Sequence, residues 1–385
     1  MAMLHILVIF YVLLIARSDA WYLKETNLTV VGSAARSDVI KNASKTQYRQ
    51  ILSNQFGQLT PEYELQWAAL VSAHGQTNFS QVDVVVDFAV QHSMDVYGHA
   101  LVWYMSMPGW LNSLSKDQLN GELQAHIASV VGRYKGVINA WTVVNEAIAD
   151  DASGFRKCLL YDVLGSNYIS TAFHAAHTAN PNATLFYNDG NFEGYNGKTI
   201  AIHDMLKKSI AAGVPIHGIG FQSHYLGWDY PGRANITKTM DLFAGLGLRI
   251  RLTEIDVQTR DIPGSRADKL QREADIFADI VVTCVEHHAC EGITFWGFTD
   301  AYTWIPSLTG VTTDEPLLYD ATYVPKPGYY SVLYALVSRG ALLHGFSSVC
   351  NLVTPTGIGI GVGIGLGVGL GVTFLQLVVN RRSNN

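Results

Sequence analysis

Eight short runs of apolar and β-branched residues, each followed by a longer stretch of helical periodicity, constrain this chain more than any other feature. They lie near Leu28 to Ala34, Phe56 to Thr60, Asp95 to Trp103, Asn139 to Asn145, Thr184 to Asp189, Gly218 to Ser223, Leu248 to Ile255 and Gly292 to Gly297. Apolar runs alternating with helices mark parallel strands that are covered on both faces and joined by helical crossovers. Eight such units predict an α/β fold, a single (β/α)8 TIM barrel. The competing open doubly wound sheet needs a phosphate-binding glycine turn near its first strand, and Val30-Val31-Gly32-Ser33-Ala34 is not one. No Pro-, Gly- or Ser-rich linker and no fixed-period repeat interrupts the chain between Trp21 and Cys350, so one domain over 21–350 is expected.

The two ends carry different signals. Leu4 to Ala16 is apolar and is closed by Ser18-Asp19-Ala20, which predicts a signal peptide over 1–20, an uncleaved anchor or an ordinary buried helix being the alternative. Gly357 to Val379 is uncharged and long enough to span hydrocarbon, and Arg381-Arg382 follows it. A transmembrane or anchor segment over 357–379 with a cytoplasmic tail over 380–385 is therefore expected. The rival is a GPI signal with its small-residue site around Ser347 and Ser348, although such a signal normally ends in its apolar stretch. Either arrangement places the domain in the secretory pathway, at the cell surface or outside. Five Asn-x-Ser/Thr triplets, at Asn27, Asn42, Asn78, Asn182 and Asn235, agree with a lumenal chain.

Lys and Arg total 26 against 32 Asp and Glu, a formal charge of -6, so no basic surface awaits a nucleic-acid backbone and no nucleic-acid partner is expected. Among the four cysteines, Cys284 and Cys290 flank Val-Glu-His-His-Ala and can close a small disulfide loop. Zinc held with His287 and His288 is the alternative, but adjacent residues rarely aim at one ion. No metal and no cofactor are expected.

In a parallel barrel the functional side chains stand at the C-terminal ends of the strands. The fourth run ends in Asn145-Glu146, and the seventh passes through Thr253-Glu254-Ile255-Asp256. Alternation puts Glu254 and Asp256 on one face, and Gln222 and His224 on one face of the sixth run beside it. His224 can thus bridge both acids and keep Glu254 ionised, as a nucleophile requires. Glu146 needs the opposite treatment, since an ionised neighbour and a partly apolar cleft would let it hold a proton near neutral pH. Two carboxylates with separated roles are the apparatus of glycoside hydrolysis. Trp67, Trp103, Trp141, Trp296 and Trp304 fall at or just after strand ends, where indoles can stack on the C–H faces of sugar rings. Core filling is the ordinary role of most of them, Trp141 above all. The polar, turn-rich segment Trp296 to Trp304 suits a cleft wall better.

At these residues the sequence resembles glycoside hydrolase family 10, the endo-1,4-β-xylanases, from about Leu28 to Tyr334. The resemblance is carried by Leu59-Thr60-Pro61-Glu62 with Glu64 and Trp67, Gly98-His99 with Leu101-Val102-Trp103, and Val143-Val144-Asn145-Glu146-Ala147. It continues in Tyr187-Asn188-Asp189, Gln222-Ser223-His224, Thr253-Glu254 with Asp256, and Trp296-Gly297 with Asp300 and Trp304, followed by Pro325-Lys326-Pro327. It implies a retaining endo-β-glycanase cutting internal β-1,4-xylosidic bonds of xylan or a related β-glycan, with Glu146 as acid/base and Glu254 as nucleophile. It also implies sugar contacts from Glu62, His99, Trp103, Asn145, Gln222, His224, Trp296 and Trp304, support from Asp256, and a Cys284–Cys290 disulfide. A polysaccharide is the expected partner and a monomer the expected state. Departures from the family pattern are Tyr63 for Asn, Gln66 for Lys, Tyr104 for His, Ser106 for Gln, Thr142 for Asp and Gly190 for a common Tyr. They leave open a different β-linked substrate, or a feebly active carbohydrate-binding surface protein on the same barrel.

Overall fold

The computed structural model describes residues 22–26 and 29–343. The expected signal peptide, the 357–379 segment, Asn27 and Cys350 lie outside them. Ten strand segments form one sheet: β1 (Val30–Ala35), β2 (Gln58–Pro61), β3 (Asp95–Gly98), β4 (Val102–Trp103), β5 (Ile138–Asn145), β6 (Thr184–Asp189), β7 (Gly218–Phe221), β8 (His224–Leu226), β9 (Arg249–Gln258) and β10 (Cys290–Phe295). All their pairings are parallel, and β1 bonds to both β2 and β10, which closes the sheet into a barrel. Since β3 with β4, and β7 with β8, each make up one stave, the barrel has eight staves.

One of the expected runs is broken at the top of the barrel, and another ends there in a kink. The third is not one strand over 95–103. It stops at Gly98, passes a cis peptide between His99 and Ala100, and resumes at Val102 to pair with Val144 and Asn145. The sixth ends at Ser223, which sits at φ +62°. That left-handed residue moves His224 out of register with β7 and into pairing with Asp256 of β9. Periodicity sees only apolar content, which is the same on both sides of each break.

Amphipathic helices cover the staves. The helix Arg266–Glu286 is started by a capping box, Ser265 with Asp268, and buries Leu270, Ala274, Phe277, Val281 and Cys284. That spacing of four and three keeps one stripe against the barrel. Leu270, Phe277 and Val281 each contribute about 1.5–3 kcal/mol by leaving water. Cys284 and Cys290 are joined by a disulfide, S–S 2.04 Å, tying this helix to the start of β10. Among the described residues no group of His, Cys, Asp and Glu could hold a metal ion, and His287 instead meets Asp241 at 3.2 Å. No described helix is long and apolar enough to cross a membrane. Asn42, Asn78, Asn182 and Asn235 are all exposed.

Candidate active site

The ends of the staves surround a cleft of about 530 Å³, and Glu146 and Glu254 both line it. Glu254 is 5% exposed. Its Oε1 accepts from Asn188 Nδ2 at 2.7 Å, its Oε2 lies 3.3 Å from His224 Nε2, and His99 Nε2 stands 3.7 Å from Oε1. Burial alone would raise its pKa, but the two imidazoles and the Asn188 amide outweigh burial and hold the carboxyl below its ordinary value. His224 in turn bonds Asp256 Oδ2 through Nδ1 at 2.8 Å. Burial opposes its charge, yet Asp256 and Glu254 together lift its pKa well above the ordinary imidazole value. The expected bridge of two acids by His224 is therefore present.

Glu146 follows β5 directly, at φ +56°, a left-handed conformation that a non-glycine residue adopts at a cost of about 1–3 kcal/mol. Its neighbours hold it there. Arg156 Nε donates to the Glu146 carbonyl at 3.1 Å, Glu146 N–H donates to the Asn188 carbonyl at 2.9 Å, and Ala147 N–H donates to Tyr187 Oη at 3.0 Å. Among the described residues the side chain meets only neutral donors: Asn145 Nδ2 at 3.2 Å and Gln222 Nε2 at 2.8 Å, both on Oε1. Asn145 Oδ1 accepts from Asn188 Nδ2 at 2.7 Å, so a chain of carboxamides runs from one acid to the other. Gly220 makes room for it, because a Cβ there would lie 2.0 Å from Asn188 Oδ1.

Glu62, His99, Trp103, Asn145, Gln222, Trp296 and Trp304 also line the cleft. Trp304 Nε1 donates to Asp256 Oδ2 at 2.8 Å, and the Trp296 and His99 rings meet in a T-shaped contact with centroids 5.1 Å apart. Burial pushes the Glu62 carboxyl up to about 8 despite nearby Arg36. Trp67 and Trp141 belong to the core, Trp67 stacked on His126 at 4.3 Å between centroids.

Of the departures from the family pattern, Tyr63, Gln66 and Gly190 line the cleft. Ser106 does not. It is buried, its carbonyl taken by Ala68 N–H, and the adjacent Met105 faces the cleft instead. The turn after β4 thus presents residue 105, not 106, to the cleft. A side chain at Gly190 would displace the Gln222 amide, whose oxygen lies 2.3 Å from the position of a Cβ.

Residues with no assigned role also enter the site. Asn188 bonds both Glu254 and Asn145, and Lys198 joins Asp189 and Asp150 at 2.7 Å each on the side of Glu146. Burial raises Asp189 to about 6, with Lys198 opposing. The block Tyr187-Asn188-Asp189 is visible in the sequence, but its Lys198 partner lies in the following helix with no local pattern to mark it.

The profile of glycosyl hydrolase family 10 matches residues 21–335. Endo-1,4-beta-xylanase 1 of Humicola insolens is 36% identical over 312 residues, 80% of this chain and 72% of that protein. Endo-1,4-beta-xylanase B of Thermotoga neapolitana is 35% identical over 308 residues, 78% of this chain and 87% of that protein. Among solved structures, native xylanase 10B from Thermotoga maritima superposes with a TM-score of 0.80 at 34% identity, covering 84% of this chain and 100% of that one. Xylanase 10B from Thermotoga petrophila RKU-1, solved in complex with xylobiose, gives the same TM-score and identity over 84% of this chain and 99% of that one. With its two carboxylates at the ends of the fourth and seventh staves, this chain belongs to glycosyl hydrolase family 10.

Proposed function

We propose that the protein is a retaining endo-1,4-β-xylanase in which Glu254 is the nucleophile and Glu146 the acid/base. The observation that carries this reading is the contrast between the two carboxylates. Glu254 is kept ionised in a buried position by His224, His99 and Asn188. Among the described residues Glu146 faces only amide donors, both on Oε1, and no cation pairs with its side chain. In the first step an oxygen of Glu254 attacks the anomeric carbon while Glu146 protonates the departing glycosidic oxygen, giving a glycosyl ester. Glu146, now ionised, then takes a proton from water, which attacks the same carbon and releases Glu254. A barrel that only bound carbohydrate would gain nothing from an ionised acid in a buried site. Trp103, Trp296 and Trp304, half-buried or buried beside the acids, supply faces for sugar rings, and Asn145, Gln222 and Glu62 supply polar contacts.

The catalytic domain occupies 21–350 in this reading, exported by the segment 1–20 and held at the membrane by 357–379, the charge-free run before Arg381-Arg382. Incubation with a 2-fluoro xylobioside of good leaving group tests the chemistry: a glycosyl adduct on the Glu254 peptide is expected by mass spectrometry. Proton NMR of the first product from xylo-oligosaccharides should show the β-anomer, and an α-anomer would refute retention. Membrane pelleting of the full chain, lost on truncation before Gly357, tests the anchor.

A further inference from the structure

Thr142 stands where the family pattern has an acid, and its position behind the nucleophile gives that exchange a chemical consequence. Its side chain is fully buried in β5. Thr142 Oγ1 lies 3.0 Å from Tyr97 Oη and 3.3 Å from His99 Nδ1, and His99 Nε2 faces Glu254 Oε1 at 3.7 Å. We propose that Thr142 is a positioning residue that fixes His99 as a neutral ring with its one N–H, at Nε2, turned toward Glu254. This rests on the reading of Glu254 as the nucleophile.

The tautomer follows from the number of protons these groups carry. Tyr97 Oη and Thr142 Oγ1 each own one proton, so the line Tyr97–Thr142–His99 can be ordered in two directions. In the first, Tyr97 donates to Thr142 and Thr142 donates to a bare His99 Nδ1, which places the ring proton on Nε2, opposite the Glu254 carboxylate. In the second, His99 Nδ1–H donates to Thr142 and Thr142 to Tyr97. The Tyr97 proton then has no other acceptor among the described residues, and a neutral His99 would turn a lone pair on an anion. A doubly protonated ring fails as well, because Thr142 would accept twice and its own proton would go unpaired in a buried site. Only the first order satisfies every group.

Charged groups around the ring act in both directions. Glu254 and Glu146 favour a charged His99, while burial and the protonated His224 across the site oppose it, and the net effect is a lowered pKa. Tyr97 stays a phenol because burial raises it far above its ordinary value. Arg251, 5.1 Å from the Tyr97 ring centroid, adds a further positive charge on that side. Glu254 therefore has one full cation beside it, His224, instead of two. An aspartate at 142 would accept from Nδ1–H, retain the second cation and lower the pKa of the nucleophile.

Long-range ¹H–¹⁵N NMR of histidine-labelled protein reads the tautomer without any reference to activity. Wild type should show an unprotonated Nδ1 and a protonated Nε2 for His99 from about pH 5 to pH 8. Thr142→Ser should preserve that pattern and keep kcat within about threefold of wild type, whereas Thr142→Val should mix the tautomers and lower kcat roughly tenfold at little-changed KM. Thr142→Asp should protonate both nitrogens and move the acid limb of kcat/KM down by about one pH unit. A protonated Nδ1 in wild type overturns the proposal, as does a Thr142→Val spectrum identical to wild type. If the tautomer is as stated and the fluoro-sugar labels a residue other than Glu254, the function proposed for Glu254 fails while the tautomer assignment stands.

Discussion

Two hydrogen-bonding partners, Asn188 and His224, and the nearby His99 ring converge on the almost wholly buried carboxylate of Glu254, and that convergence makes two residue-scale outcomes testable. Glu254→Ala should lower xylan hydrolysis by at least about four powers of ten while the far-UV circular dichroism of the fold is retained, because it removes the bond-forming atom. Azide should restore turnover on an aryl xyloside with inverted product, and activity within about tenfold of wild type would end the assignment. The second outcome concerns the proton on His224. A histidine whose folded pKa lies above its ordinary value contributes stability that is complete below that value and is lost as pH rises toward the folded one. Burial works against the charge on His224, and Asp256 is the stronger of the two acids that retain it. Between about pH 7 and pH 9 the wild-type melting temperature should therefore fall more steeply than that of Asp256→Asn. Parallel slopes in the two proteins would show that the bridge does not hold the proton.

At the scale of elements, the segment after β10 is tied down by Lys326. Its Nζ donates to Glu273 Oε1 at 2.9 Å and to the Glu315 carbonyl at 2.6 Å, and lies 3.1 Å from Asp300 Oδ2. Glu273 belongs to the helix Arg266–Glu286, so one buried cation joins that helix, the loop carrying Trp304 and the entry to the helix Pro327–Leu343. Burial raises both acids, Asp300 to about 7 and Glu273 well above its ordinary value, each opposed by Lys326. Lys326→Met should cost about 3–5 kcal/mol, since removal of one partner strands buried charge. The loss in urea titrations should be larger at about pH 8 than at pH 6, because without the lysine the two acids are tolerated only when protonated. Pro325-Lys326-Pro327 is plain in the sequence, but its partners are 53 and 26 residues away, and no local pattern joins them.

The whole molecule gathers the two acids, Tyr63 and Gln66 into one cleft. Tyr63→Asn combined with Gln66→Lys should raise kcat/KM on xylo-oligosaccharides by about tenfold and change turnover of a small aryl xyloside little, because contacts to remote sugars act on the transition state only when those sugars are bound. A loss on both substrates would assign these side chains to a working subsite of different shape. By itself the sequence determined the barrel, the strand ends that matter, the positions of both acids and the His224 bridge, while the Cys284–Cys290 pairing was implied by the family resemblance. The first four are written in local patterns, either apolar alternation or a short motif. Tertiary structure alone decided that Asn188 reaches Glu254, that Lys198 closes on Asp189 and Asp150, that Ser106 turns away while Met105 faces the cleft, and that the third and sixth staves break at His99–Ala100 and Ser223. Those outcomes depend on which stave lies beside which and on single backbone dihedrals at the strand ends, and hydrophobic periodicity carries neither.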